Sequence, residues 1–530
     1  MPRSPAARDR ALAFLLAAAA AALYAALFQR RWYMDGPFFL ERLEAGAWRY
    51  AHLLTLPFLH AVQALSKGFG ASDPVATMRL ASILPGGAAA GLLFLAGRRL
   101  GASRPRALAF AGTLALCPAA VFFATVAENQ AFHFACASLA LLAAVRYGEA
   151  PSSARALALG AAWIVAIGSH TTGVLLGPGL VALASFLASR RGAPPRRSHA
   201  LAFAIPCATS ALVLLGLAWA WGGSPLRLET ALGPGGLAMR ERLLHELDPQ
   251  RVGRYLAEEA VYPAFLLAPA GLFGLGRSWR VDRPLGLVVL AFALPYLLVM
   301  PLWGAPDRGA HFLQILPALL LPFLVGRPEV DEPSFGARTA LFGLLLGIAG
   351  TGAATARGIP VWLVPALVAS AAGGWASPRF LPRGARLALT LALVPLAQGA
   401  RSLAILRERN RDDPEARWIE GVASATRNEG LIVTAGYGEP ILLRRASGLT
   451  VVEMGGLLLA PDPEKMRREI LEQVDAQLAA GRPTWVDARV EEVYGGNAVA
   501  RAHLDALRER FVWTPVESGA FRGWRLTRRG

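Results

Sequence analysis

Residues 11–28, ALAFLLAAAAAALYAALF, and residues 30–60, RRWYMDGPFFLERLEAGAWRYAHLLTLPFLH, decide how the chain is read. The first stretch is apolar and long enough to cross a bilayer. The second is the one long polar excursion in the first third of the sequence, and it sets Asp35 just beyond the end of that helix. Trp32, Tyr33, Phe38, Phe39, Trp48 and Tyr50 surround the acid. Aromatic rings with one polar edge favour the membrane–water boundary, so the Asp35 carboxylate is expected at headgroup level. The plain alternative is a solvated loop carrying an ordinary acid.

The chain as a whole is too apolar for an ordinary soluble enzyme: of 530 residues, 54% are hydrophobic and 17% charged, and the mean hydropathy is +0.41. It reads as an integral membrane protein. A net charge of +17 could suggest nucleic acid, but the arginines mostly cap apolar runs, so the excess is read as topology and no nucleic-acid partner is expected. Cys117, Cys136 and Cys207 lie in or beside apolar segments at spacings that match no metal site, which speaks against disulfides and zinc. The first apolar run is long enough to remain as an uncleaved helix rather than a signal peptide.

Apolar stretches recur at Ala11–Phe28, Leu80–Gly97, Ala107–Phe123, Ala131–Val145, Ala156–Gly168, Gly173–Ala188 and Ala200–Trp221. They continue at Val261–Leu275, Leu285–Trp303, His311–Val325, Thr339–Ala354, Ile359–Trp375 and Leu387–Gly399, about thirteen candidate spans in all. Arginines set their orientation: Arg3, Arg8 and Arg10 precede the first helix, and alternate loops carry groups such as Arg98, Arg99, Arg104 and Arg106 or Arg190, Arg191, Arg196 and Arg197. Those loops are expected in the cytoplasm, with the N-terminus. Asp35, His52, Glu128, His170, the long loop Gly222–Ala260 and the Asp307, Arg308, His311 group then fall on the outer side, as does everything beyond the last span. An amphipathic stretch in that loop, Leu237–Leu247, reads either as an interfacial helix over a site or as plain solvated structure.

From Arg401 the apolar runs shorten and charges become frequent. Residues 1–400 read as the membrane domain and 401–530 as a separate, extracytoplasmic domain. Strands are expected at Leu431–Ala435, Thr450–Glu453, Thr484–Asp487, Phe511–Val516 and Gly523–Leu526, and helices near Glu439–Ala446, Pro463–Ala480 and Ala498–Arg510: a small α/β fold. Gly436-Tyr437-Gly438 is an incomplete dinucleotide fingerprint, and its glycines read as turn residues.

Asp35 and Glu128 are the acids most expected to meet. Glu128 stands in FFATVAENQAFHF, a very short turn between apolar helices, where an ionisable group is costly unless it faces a cavity or partner. Its plain alternative is a helix-end residue reaching for water. Paired carboxylates suit general-base activation of a hydroxyl or amide acceptor. His170 in AIGSHTTGVLLGPG, His52, and His311 in PLWGAPDRGAHFLQILP are each either structural or phosphate-binding. Arg308, with Asp307 beside it and Trp303 before it, has a guanidinium fork suited to a phosphate, or pairs with Asp307 on the surface.

With those residues in place, the chain resembles the GT-C superfamily of polyprenyl-phosphate-sugar-dependent glycosyltransferases, and within it the bacterial protein O-mannosyltransferase-like proteins. The resemblance rests on Asp35 in YMDGPFFLERLEAG, His52 in WRYAHLLTLPFLHAV, Glu128 in TVAENQAFHF, His170 in its Gly-Ser-His-Thr-Thr run, PDRGAHFLQILP, and GLIVTAGYGEPILL in the C-terminal domain. It implies a catalytic acid in the first outer loop, here Asp35, and transfer of a sugar from a lipid-phosphate carrier to a lipid, glycan or protein acceptor on the outer face of the inner membrane. The first loop departs from a double-acid motif: it has Asp-Gly, with Glu41 and Glu44 as the nearest further acids. No cofactor is required by this reading; a divalent cation stays open, because no ligand cluster has metal spacing. A solute transporter with an outer-face binding site, or a non-catalytic envelope scaffold, are the competing classes.

Overall fold

The computed structural model describes residues 5–48, 52–70, 73–193, 195–220, 249–256, 258–259, 267–302, 308–325, 398–436, 438–454, 463–494 and 498–529. It divides into a helical unit, Met1–Gln29 with Trp48–Arg407, and a sheet unit, Arg30–Ala47 with Glu408–Gly530. The sequence boundary after residue 400 lies near the second division, but the sequence does not announce that Arg30–Ala47 groups with the C-terminal residues.

Among the described residues of the helical unit, four helices are long and apolar enough to cross a membrane: Pro5–Ala26, Pro74–Arg99, Gln130–Glu149 and Thr171–Arg190. Shorter apolar helices run over Ser153–Ser169, Arg283–Val299 and Leu313–Val325. The expected stretches Thr339–Ala354 and Ile359–Trp375, the amphipathic Leu237–Leu247 and most of the loop Gly222–Ala260 lie outside the described residues. The stretch Ala107–Phe123 folds as two helices, Arg104–Ala115 and Pro118–Ala124, bent by 64°. The cause is Pro118, which has no amide hydrogen and forces Cys117 into an extended conformation. Carbonyls released at the break are met from elsewhere, Ala115 by the Tyr24 hydroxyl at 2.7 Å and Leu116 by Ser402 at 2.7 Å.

Small residues let the first two spans approach closely. A side chain at Gly87 would begin 2.6 Å from the Ala17 carbonyl, and one at Gly91 2.8 Å from that of Ala13. Backbone-to-backbone packing of this kind is how helices associate where no water drives them together. Arg98, Arg99 and Arg104 collect at one end of the bundle: Arg98 and Arg104 hold Asp9 at 3.0 and 2.7 Å, and Arg99 holds Glu149 at 2.5 Å. Glu128, at the other end of helix Gln130–Glu149, is about 30 Å away along its axis.

In the sheet unit the five strands are β1 (Leu431–Thr434), β2 (Thr450–Glu453), β3 (Thr484–Asp487), β4 (Phe511–Ser518) and β5 (Phe521–Arg528), ordered β2-β1-β3-β5-β4. The first three are parallel and the last two antiparallel. Strands buried on both faces read as continuous apolar runs, and β1 is buried at all four positions. Helices Glu439–Ala446, Pro463–Ala479 and Ala498–Arg510 fall where expected. Two more, Pro414–Thr426 and Arg489–Tyr494, were not expected.

Candidate active site

At the end of the helical bundle opposite the arginines, three segments bring histidines together. Helix Ser153–Ser169 ends in an extended His170 that also opens the 3₁₀ turn Thr171–Leu176. Against that turn lies the segment before helix Thr55–Gly68: the Leu54 amide donates to the Gly168 carbonyl at 2.8 Å, and the Thr55 hydroxyl to that of Ser169 at 3.3 Å. The approach requires a glycine, since a Cβ at Gly168 would lie 2.7 Å from Leu54. As a result the His52 and His170 rings sit 4.2 Å apart. His133, one turn into helix Gln130–Glu149, puts its ring 5.1 Å from His170.

The hydrogen bonds determine where the ring protons are. The Thr172 amide, which can only donate, points at His170 Nδ1 from 3.2 Å, and the Thr172 hydroxyl lies 2.7 Å from the same nitrogen. Nδ1 therefore accepts, and neutral His170 carries its proton on Nε2. Ser169 gives its single proton to the Ala166 carbonyl at 2.8 Å, so at 2.9 Å it accepts from Nδ1–H of His133. The pair is a fixed arrangement in which His170 offers an N–H donor at the end of the bundle.

His311 belongs to the same unit and is held differently. Its Nδ1 lies 3.3 Å from Glu259 Oε1 and 2.9 Å from the Tyr255 hydroxyl. The amides of Gly309 and His311 both donate to Glu259 at 3.0 Å. Burial pushes the Glu259 carboxyl up, but these hydrogen bonds outweigh it and hold the group below its ordinary value. A carboxylate behind an imidazole fixes its orientation. Three residues before His311, Arg308 is exposed, with its guanidinium 5.1 Å from the Phe122 ring centroid. Asp307 and Trp303 lie outside the described residues.

Glu128 is buried in the turn before helix Gln130–Glu149, not extended to water. Ser82 ties down its backbone, donating to its carbonyl at 3.0 Å and accepting from its amide at 3.3 Å, and Glu128 Oε1 accepts from the Asn129 amide at 2.9 Å. Gln130 meets Gln314 at 3.4 Å, which joins this turn to the His311 segment. Both amide atoms of Asn129 and Oε1 of Gln314 are buried with no hydrogen-bond partner among the described residues.

Asp35 belongs to the sheet unit. It caps helix Gly36–Glu44 without a side-chain capping bond, and Met34 before it has φ of 39°. Arg308 has φ of 48°. Only four described non-glycine residues have such left-handed backbone, and two of them adjoin or are candidate site residues, where strain of this kind tends to collect. Among the described residues no group of three or more His, Cys, Asp or Glu side chains is arranged to hold a metal ion. Sequence reasoning missed His133, Tyr255 and Glu259 as site residues. For His133 a signal existed: it follows Asn129 and Gln130 at helical spacing, on the turn that carries Glu128.

A bundle of apolar helices with a polar, histidine-lined end, followed by a small mixed sheet, defines a polytopic membrane protein with a C-terminal α/β unit. Its fold is shared with solved crystal structures. The crystal structure of ArnT from Cupriavidus metallidurans in the apo state is similar with a TM-score of 0.59 at 17% identity, covering 99% of this chain and 98% of that one. The same protein bound to undecaprenyl phosphate is similar with a TM-score of 0.58 at 15% identity over 97% of each chain. No protein-family model and no curated protein sequence matches the chain.

Proposed function

We propose that the chain is an inner-membrane glycosyltransferase that moves a sugar from a polyprenyl-phosphate donor to an acceptor on the outer face, inverting at the sugar carbon. The observation that carries the reading is the meeting of His52 and His170, with His311 within electrostatic reach of His170 and Arg308 three residues from His311, in the unit whose fold is shared with a protein crystallised with undecaprenyl phosphate. The leaving group is a lipid phosphate, which needs positive charge and N–H donors more than a strong acid. The Nε2–H of His170, His311 backed by Glu259, and the guanidinium of Arg308 supply both. Asp35 acts as general base on the acceptor, and Glu128 as its supporting acid. The unsatisfied Asn129 amide, beside Glu128, suits a sugar hydroxyl. Arginine-rich loops then face the cytoplasm, and the C-terminal domain lies outside.

The test is sugar release or transfer from a panel of polyprenyl-phosphate sugars by detergent-purified protein, wild type against Asp35→Asn. Turnover that Asp35→Asn abolishes while donor binding persists supports the enzyme and its base together. Donor binding without turnover in either form points to transport or scaffolding, and equal turnover in both discards Asp35.

A further inference from the structure

In an open sheet with parallel strands, ligands bind in the crevice at the carboxyl ends of the strands, where the chain leaves neighbouring strands in opposite directions. In the order β2-β1-β3 that point is the end of β1, which runs to β2 on one side and has β3 on the other. The loop leaving β1 contains Gly436 and Gly438. What lies against it is this chain's own first loop: a Cβ at Gly438 would stand 2.8 Å from Pro37 Cγ, 3.3 Å from Pro37 Cβ and 3.3 Å from the Met34 carbonyl. Asp35 lies between those two contacts.

The rest of the segment is tied down on both sides of the acid. Arg409 donates to the Trp32 carbonyl at 2.6 Å and lies over the Tyr33 ring at 5.2 Å. Arg31 meets Glu415 at 3.3 Å. Beyond Asp35, Glu41 pairs with Arg444 and Glu44 with Arg445, both arginines on helix Glu439–Ala446, which starts at the same glycine loop. Glu439 Oε2 accepts the Gly438 amide at 3.1 Å and fixes the loop's own shape.

We propose that the sheet crevice is the seat of the Asp35 segment and not a ligand site, and that Gly438, Arg409 and Arg445 are positioning residues for Asp35. The C-terminal domain then acts on the reaction through the backbone on which the base is mounted. This role rests on the glycosyltransferase reading, whereas the contact itself does not. Displacing a catalytic group by about 1 Å costs on the order of 10²-fold in rate. A side chain at Gly438 displaces Met34–Pro37 by that order, because the atoms it meets are backbone and a proline ring.

The experiment uses the full chain in detergent. Gly438→Val is expected to lower kcat about 10²-fold with the donor KM unchanged. Arg445→Glu is expected to lower kcat about fivefold, and the swap Glu44→Arg with Arg445→Glu to restore it, a rescue that general destabilisation does not produce. Independently of turnover, Pro37→Cys with Gly438→Cys is expected to form a disulfide on mild oxidation, since such bridges have Cβ atoms about 3.8 Å apart. Bridge formation in a protein whose wild type transfers no sugar removes the glycosyltransferase reading and keeps the seat. No bridge, or full turnover in Gly438→Val, overturns the proposal.

Discussion

The two units handle polar groups in opposite ways. Around His170 in the helical unit, neutral groups are buried and hydrogen-bonded to one another: His133 to Ser169, His170 to Thr172, Tyr296 to the Thr172 carbonyl at 2.9 Å. In the sheet unit, charges are paired at half-exposed positions, as Arg31 is with Glu415 at 3.3 Å. The difference follows from solvation. A charge deep in a helical bundle is costly and a hydrogen-bonded neutral ring is not, whereas a charge at the edge of a sheet keeps part of its water and gains from a partner at little cost. The helical unit is therefore suited to present donors in fixed directions, and the sheet unit to hold a segment of chain in place.

The largest effect is expected at the residue that the sheet unit holds in place. Asp35→Asn should lower kcat about 10³-fold, within the range for loss of a general base, with donor affinity little changed. A fall in donor affinity instead would assign Asp35 to binding and break the division. Next, His170→Phe should lower turnover about 10²-fold as a lost donor to developing charge, with the sheet unit's unfolding unchanged. Ser169→Ala should cost less, about tenfold, and its specific signature is the nitrogen NMR shift of His133, which loses the acceptor that keeps its proton on Nδ1. An unaltered tautomer in that variant would show that the network does not set the proton positions.

How much of this was legible depends on whether the signal was local. The strands of the sheet unit stood out because runs such as Leu431–Thr434 are apolar and β-branched and bounded by turn residues. Helix Pro414–Thr426 had a local signal that went unread: Asp413 caps it by accepting from the Ala416 amide, with Pro414 at its first position. The grouping of Arg30–Ala47 with the C-terminal residues had none, because Arg31 and Glu415 are 384 residues apart and nothing in either stretch names the other. The histidine end was half legible. His52, His170 and His311 flank apolar runs and attract notice, whereas His133 sits inside a helix and looks like core until its neighbours are known.

The smallest expected effect tests the sheet unit's side of the contrast. Burial pushes the Glu453 carboxyl from 4.5 up to about 7, with Arg444 opposing and Glu41 and Glu439 adding to the rise. Between those values the folded chain keeps a proton that the unfolded chain has lost, so this group's contribution to stability is complete below about pH 4.5 and is lost as the pH rises through 7. Glu453 is half-buried, and solvent screening limits the effect to about 1 kcal/mol or less. Thermal unfolding of wild type and Glu453→Gln should accordingly show the variant gaining on wild type between pH 5 and pH 8. The same carboxyl lies within electrostatic reach of Glu41 and Arg444, two of the groups that hold the Asp35 segment. If Glu453 ionises there, it loosens the seat in the same window, so turnover of the wild type should fall across it and that of the variant should fall less. A gain in stability without any change in the turnover profile would mean that the sheet unit carries the charge but does not pass its effect to the first loop.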